Sequence, residues 1–137
     1  MRFLYLLTLI LLPFCINAQL NTELVGRLEY EQEANDIWGW VAEDGTEFAL
    51  VGTQIGTSVV SLSDPSNPVE VGFIEGPSST WRDIKTWGNY AYVTHDNSSE
   101  PNIGLHVIDL SQLPDTVTAT TWMPTISELG TLSRCHN

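Results

Sequence analysis

Along most of the chain the apolar positions fall in short runs rich in Val, Ile, Trp and Tyr, and turn-forming pairs separate them: Asp44-Gly45, Asp64-Pro65, Asn67-Pro68 and Gly88-Asn89. Short β-branched and aromatic runs bounded in this way read as strands. No segment sustains the apolar period of about 3.6 residues that an amphipathic helix requires. Strands are expected at 37–41, 48–52, 57–62 and 69–74, and again at 84–87, 90–94, 105–110 and 119–123.

These two sets of four are copies of one pattern. Val25-Gly26-Arg27-Leu28-Glu29 recurs as Val71-Gly72-Phe73-Ile74-Glu75 at an offset of 46, and Asp36-Ile37-Trp38-Gly39-Trp40 as Asp83-Ile84-Lys85-Thr86-Trp87 at 47. Ala49-Leu50-Val51 returns as Ala91-Tyr92-Val93 at 42, and the run from Gly56 to Ser63 as that from Gly104 to Ser111 at 48. Four strands per repeat of about 40 to 50 residues is the signature of β-propeller blades. The expected fold is all-β: two four-stranded antiparallel blades over 37–75 and 83–123, a closing strand at 24–30, and the start of a further blade at 135–137. Because propellers close with about four to eight blades, two blades are expected to be a piece of a longer ring, whose last blade the strand near Val25 would complete.

The first residues follow a different pattern. Met1-Arg2 is basic, Phe3 to Cys15 is almost uninterrupted apolar sequence, and Ala18 is a small residue before Gln19. That is the build of a secretory signal peptide over 1–18, with cleavage between Ala18 and Gln19. Lipid attachment at Cys15 is the rival reading, against which stands the bulky Phe14. With the leader gone, Cys135 is the remaining thiol, either paired with a cysteine outside this sequence or a buried free one. The remainder, 19–137, is expected to be secreted, extracellular or at a cell surface.

Charge narrows the partners. With 5 Lys and Arg against 17 Asp and Glu, the net charge is −12. Binding to nucleic acid or to an anionic leaflet relies on Lys and Arg against phosphate, so neither is expected. A hydrophobic fraction of 42% with 16% charged residues is that of a chain able to bury a core, which argues against bulk disorder.

Several of these runs carry a resemblance. Leu105-His106-Val107-Ile108-Asp109, the Asp64-Pro65-Ser66-Asn67-Pro68 turn and Trp81-Arg82-Asp83-Ile84-Lys85 resemble the secreted LVIVD-repeat proteins of the choice-of-anchor B family. The resemblance implies a propeller of several hundred residues, no defined enzymatic activity, and membrane attachment only through a C-terminal anchor not seen in this chain. His106 in the second place of the core run, and Thr57-Ser58-Val59-Val60-Ser61 in the first copy, depart from that pattern.

Candidate chemistry is sparse. There is no H-E-x-x-H, C-x-x-C pair, G-x-S-x-G or phosphate loop, and no cofactor, metal or catalytic site is expected. Asn35-Asp36, Arg82-Asp83 and His136-Asn137 fall just before innermost strands. They are expected to ring one mouth of a central channel, either as turn residues that tie blades together or as a ligand site. In the second case Asp36, Asp83 and His136 would join Trp81 as a stacking surface and Arg82 as a donor to an anion or carbohydrate. In the insert 94–102, Asp96 and Glu100 are spaced as weak calcium candidates, but Pro101 and Val107 occupy the places where an EF-hand needs Gly and Glu. Asn97-Ser98-Ser99 is a glycosylation sequon if the source is a eukaryote. The expected function is a binding or scaffold module for an extracellular protein or glycan; the alternative is a hydrolase or lyase whose site further blades complete.

Overall fold

The computed structural model describes residues 22–97 and 103–135. The signal peptide with Ala18 and Gln19, and also Glu100 and His136, lie outside the described residues. Strands β1 (Ala34–Val41), β2 (Glu47–Thr53), β3 (Gly56–Ser61) and β4 (Val69–Glu75) form one antiparallel sheet in the order β1-β2-β3-β4. Strands β5 (Ile84–Trp87), β6 (Tyr90–Val93), β7 (Leu105–Asp109) and β8 (Thr118–Trp122) form a second in the same order. No helix occurs among the described residues. The two sheets are blade-like copies, as the repeat predicts, and the expected strand boundaries hold to within about three residues.

Local chemistry sets the turns. Gly45 and Gly88 adopt φ of 88° and 55°, the left-handed region that a side chain resists, at the β1–β2 and β5–β6 corners. Asp44, Asp64 and Asp109 each accept the backbone N–H two residues on, at 2.9, 3.0 and 2.9 Å.

Because alternate residues of a strand share a face, each sheet presents two faces with different contents. The face of the first sheet carrying Phe48, Leu50 and Val59 packs on the face of the second carrying Ile84, Ala91, Val93 and Ile108, and all seven are at most 1% exposed. Burial of these side chains between the sheets is the main source of stability. In the repeat, Phe48, Leu50 and Val59 correspond to Tyr90, Tyr92 and Val107. The second sheet therefore turns towards the first the equivalents of Ala49, Val51 and Val60, so the sheets stack face to back, as successive blades do.

Two features differ from expectation. Residues 24–30 form no strand: they run irregularly along the far face of the first sheet. Side chains rather than a backbone ladder hold them there. Tyr30 Oη donates to Ser58 Oγ at 3.0 Å, Ser58 donates on to Glu70 Oε2 at 2.6 Å, and an added Cβ on Gly26 would overlap the Pro65 carbonyl. The second is a small hairpin, β9 (Thr125–Ile126) with β10 (Gly130–Thr131), between the second sheet and Cys135. Cys135 is exposed and unpaired, so the buried free cysteine is not what forms. Its segment joins the second sheet through the bridge to His95 and a hydrogen bond from Gly104 N–H to the Ser133 carbonyl, and its side chain stays outside the core.

Candidate functional site

The innermost strands, β1 and β5, meet along a seam of side-chain hydrogen bonds. Asp36 accepts from its neighbour Ile37 N–H through Oδ1 and from Ile84 N–H through Oδ2, both at 2.8 Å. Two residues on, Trp38 Nε1 donates to Thr86 Oγ1 at 3.0 Å, and two further Trp40 Nε1 donates to the Gly88 carbonyl at 2.9 Å. Lys85 Nζ lies 4.0 Å from the centroid of the Trp38 ring. Strand alternation explains the regularity: Asp36, Trp38 and Trp40 share the face turned to the second sheet and land on 84, 86 and 88.

The same alternation turns Arg82 the other way. Arg82 and Ile84 share the face directed at the first sheet, and Arg82 is 2% exposed. Its Nε donates to the Thr53 carbonyl at 2.9 Å and its Nη2 to the Pro77 carbonyl at 2.5 Å. A buried guanidinium needs such acceptors, since an unpaired buried charge is strongly disfavoured. The group expected at the mouth as a ligand donor is thus directed inward, pinning the end of β2 and the segment after β4. Burial lowers the Arg82 pKa and Asp96 opposes that shift.

Two histidines share this interior. His95 is 1% exposed, neither ring nitrogen has a hydrogen-bond partner among the described residues, and the Gly104 backbone lies near without reaching hydrogen-bond geometry. His106 is 5% exposed and lines a cavity of about 240 Å³ with Glu75, Gly76, Pro77 and Ile103. Burial, reinforced by the Arg82 charge, pushes both imidazoles below their ordinary pKa; Asp96 works against this at His95. Neither histidine is among the site residues expected from the sequence. The available signal was that His106 stands where the first copy has Ser58, on an inward strand position.

The remaining candidates lie around this cluster. Trp81 is 57% exposed and is the large aromatic on the solvent side of the β5 entrance. Asp83 is half-buried: its N–H donates to Thr94 Oγ1 at 3.2 Å, and its carboxylate raises the Cys135 thiol pKa in addition to the larger effect of burial. Asp96 is bound to Ser79, with Oδ1 2.5 Å from Ser79 Oγ and its N–H donating to the same oxygen at 3.2 Å. Asn97 Nδ2 donates to the Ser78 carbonyl at 2.5 Å, which ties the insert to the segment before β5. Among the described residues no three His, Cys, Asp or Glu side chains gather as a metal site.

The LVIVD repeat matches this chain twice, over residues 40–75 and 80–114, together more than half of it. The two matches cover the two sheets apart from residues 34–39 of β1 and the strand β8. No curated protein and no solved structure matches the chain.

Proposed function

We propose, from the premise that this chain belongs to the LVIVD-repeat family, that it is an exported binding or scaffold module of propeller type, engaging an extracellular protein or glycan without transforming it. The leader-like sequence of residues 1–18 supports export, and the likeness to choice-of-anchor B proteins supports attachment at a cell surface. The observation that carries the binding role is the division of labour at the β5 entrance. Asp36, Arg82 and Ser79, the polar groups suited to chemistry there, hold the two sheets and the insert together, while Trp81 is 57% exposed beside them. An exposed aromatic beside rigid strands suits stacking on a sugar face or a partner side chain better than it suits bond cleavage.

Soluble polysaccharides and the secreted proteins of the source, titrated against the purified protein, test this reading. Saturable binding that leaves the ligand chemically intact is expected. Trp81→Ala should abolish it while the β-sheet content, read by circular dichroism, is retained. Conversion of a bound ligand to product would overturn the reading in favour of a hydrolase or lyase, and binding unaffected by Trp81→Ala would remove Trp81 from the site.

A further inference from the structure

We propose that Arg82 and His106, with His95 beside them, form a pH-sensitive latch between the two sheets, closed at neutral pH and loosened by mild acid. This role is distinct from the binding reading and does not depend on it. Arg82 is the arm of the latch: it leaves the β5 entrance, crosses to the first sheet and holds the Thr53 and Pro77 carbonyls. His106 comes from β7 of the second sheet, and its Cε1 and the Arg82 Nη1 both crowd Gly76, where an added Cβ would lie 3.3 and 2.8 Å from them. A fixed, buried cation therefore stands beside imidazoles that are 5% and 1% exposed.

Such a cluster is tolerated while the imidazoles are neutral. Protonating His106 places a second cation beside the buried Arg82, and protonating His95 adds a third. The other charged groups facing the cluster are few among the described residues. Asp96, at the end of the β6 segment, offsets the charge at His95 but has one oxygen bound to Ser79. Glu75, at the end of β4, lines the same cavity as His106. Cys135, bridged to His95 through the backbone, is uncharged at neutral pH as an ordinary thiol is, and burial raises its pKa further. In the first sheet Ser58 replaces His106 and Asn35 replaces Arg82, so the device occurs in one of the two copies.

The sign follows from linkage. An unfolded histidine titrates near about pH 6.5. A folded one held below that binds fewer protons, so stability is full above about pH 6.5 and falls as the pH drops through that value. Each unit by which the folded pKa is depressed costs about tenfold in the closing equilibrium once the pH is below both values.

Two measurements on the intact protein test the latch. Thermal melts between pH 7.5 and 5, a window in which ordinary carboxylates stay ionised, should show stability falling with pH, and His106→Ser should flatten that profile. Proton exchange at the Ile84 amide, corrected for its intrinsic pH dependence, should accelerate on acidification before exchange at Val59, because Ile84 spans the junction. Should His106→Ser fail to fold, the ring resonances of His106 in the wild-type protein decide instead. A titration midpoint clearly below 6.5 is expected, and a midpoint at or above that value, or a melt profile that does not fall between pH 7.5 and 5, overturns the proposal.

Discussion

Two side chains, Asp36 near the start of β1 and Arg82 just before β5, show how a polar residue at the entrance of an inner strand acquires its role from parity. Asp36 shares the face of Trp38 and reaches forward to the Ile84 amide of a residue that is itself fully buried. Asp36→Ala leaves that N–H without an acceptor and is expected to cost about 1–3 kcal/mol. Asp36→Asn, which can serve one of the two amides now served by the carboxylate, should cost less, and chemical denaturation of the three proteins orders them. Equal stability of all three would show that water replaces the carboxylate and that the seam is held by the tryptophans alone. Arg82 shares the face of Ile84 and reaches backward. Its two carbonyl partners require a planar donor fork, so Arg82→Lys is expected to recover only part of the stability lost in Arg82→Ala, a loss of about 3 kcal/mol for two charge-assisted bonds. Full recovery by Lys, read from the same denaturation curves, would reduce Arg82 to a point charge.

At the scale of the strand and the sheet, most of the architecture was legible. Runs such as 48–52 and 105–110 have the β-branched and aromatic content of buried strands, and their recurrence at nearly constant offset specified the second sheet from the first. The hairpin at 125–131 was not legible, because two-residue strands carry no pattern. Residues 24–30 repeat the composition of β4 yet form no strand, since composition selects an extended chain while a strand also needs an edge to pair with. The interior cluster was legible only in part. Reading Arg82 as polar sent it to the channel mouth, whereas its parity with Ile84 already directed it into the junction. Close approach between elements can be tested at glycine. An added Cβ on Gly52 would lie 2.5 Å from Asn35 Oδ1 and 2.9 Å from the Arg82 carbonyl, and the latter is backbone that must move. Gly52→Ala should therefore destabilise by about 1–3 kcal/mol. Gly39→Ala, with nothing within 4 Å of the added carbon, should stay within about 0.5 kcal/mol of the parent. Matching melts for the two variants would show that the junction at Gly52 opens more easily than its packing implies.

For the molecule as a whole, the face-to-back stacking has a consequence on the outer side of the second sheet. Tyr90, Tyr92 and Val107 there are the repeat equivalents of Phe48, Leu50 and Val59, which are buried against the next sheet. Trp87 is the equivalent of Trp40, whose indole donates across the junction, and it is 81% exposed; Trp122 on the same side is 55% exposed. Exposed apolar side chains grouped on one face in this way mark an interaction or association surface. Its complement is known from the junction already formed: a sheet of the same repeat offering small and β-branched side chains. When these sheets are produced with no further blade, a second copy is the available source of such a surface, although Tyr30 and its neighbours must leave the far face of the first sheet to admit it. We expect the protein freed of residues 1–18 to associate with rising concentration in sedimentation velocity, and Trp87→Glu to shift it towards monomer with little change in secondary structure. The high negative charge opposes association and is screened by salt, so the oligomer should grow between low and moderate ionic strength. A monomer at every concentration and salt level, with Trp87 still exposed to quenchers, would mean that the outer face is satisfied by water and that stacking ends at two sheets.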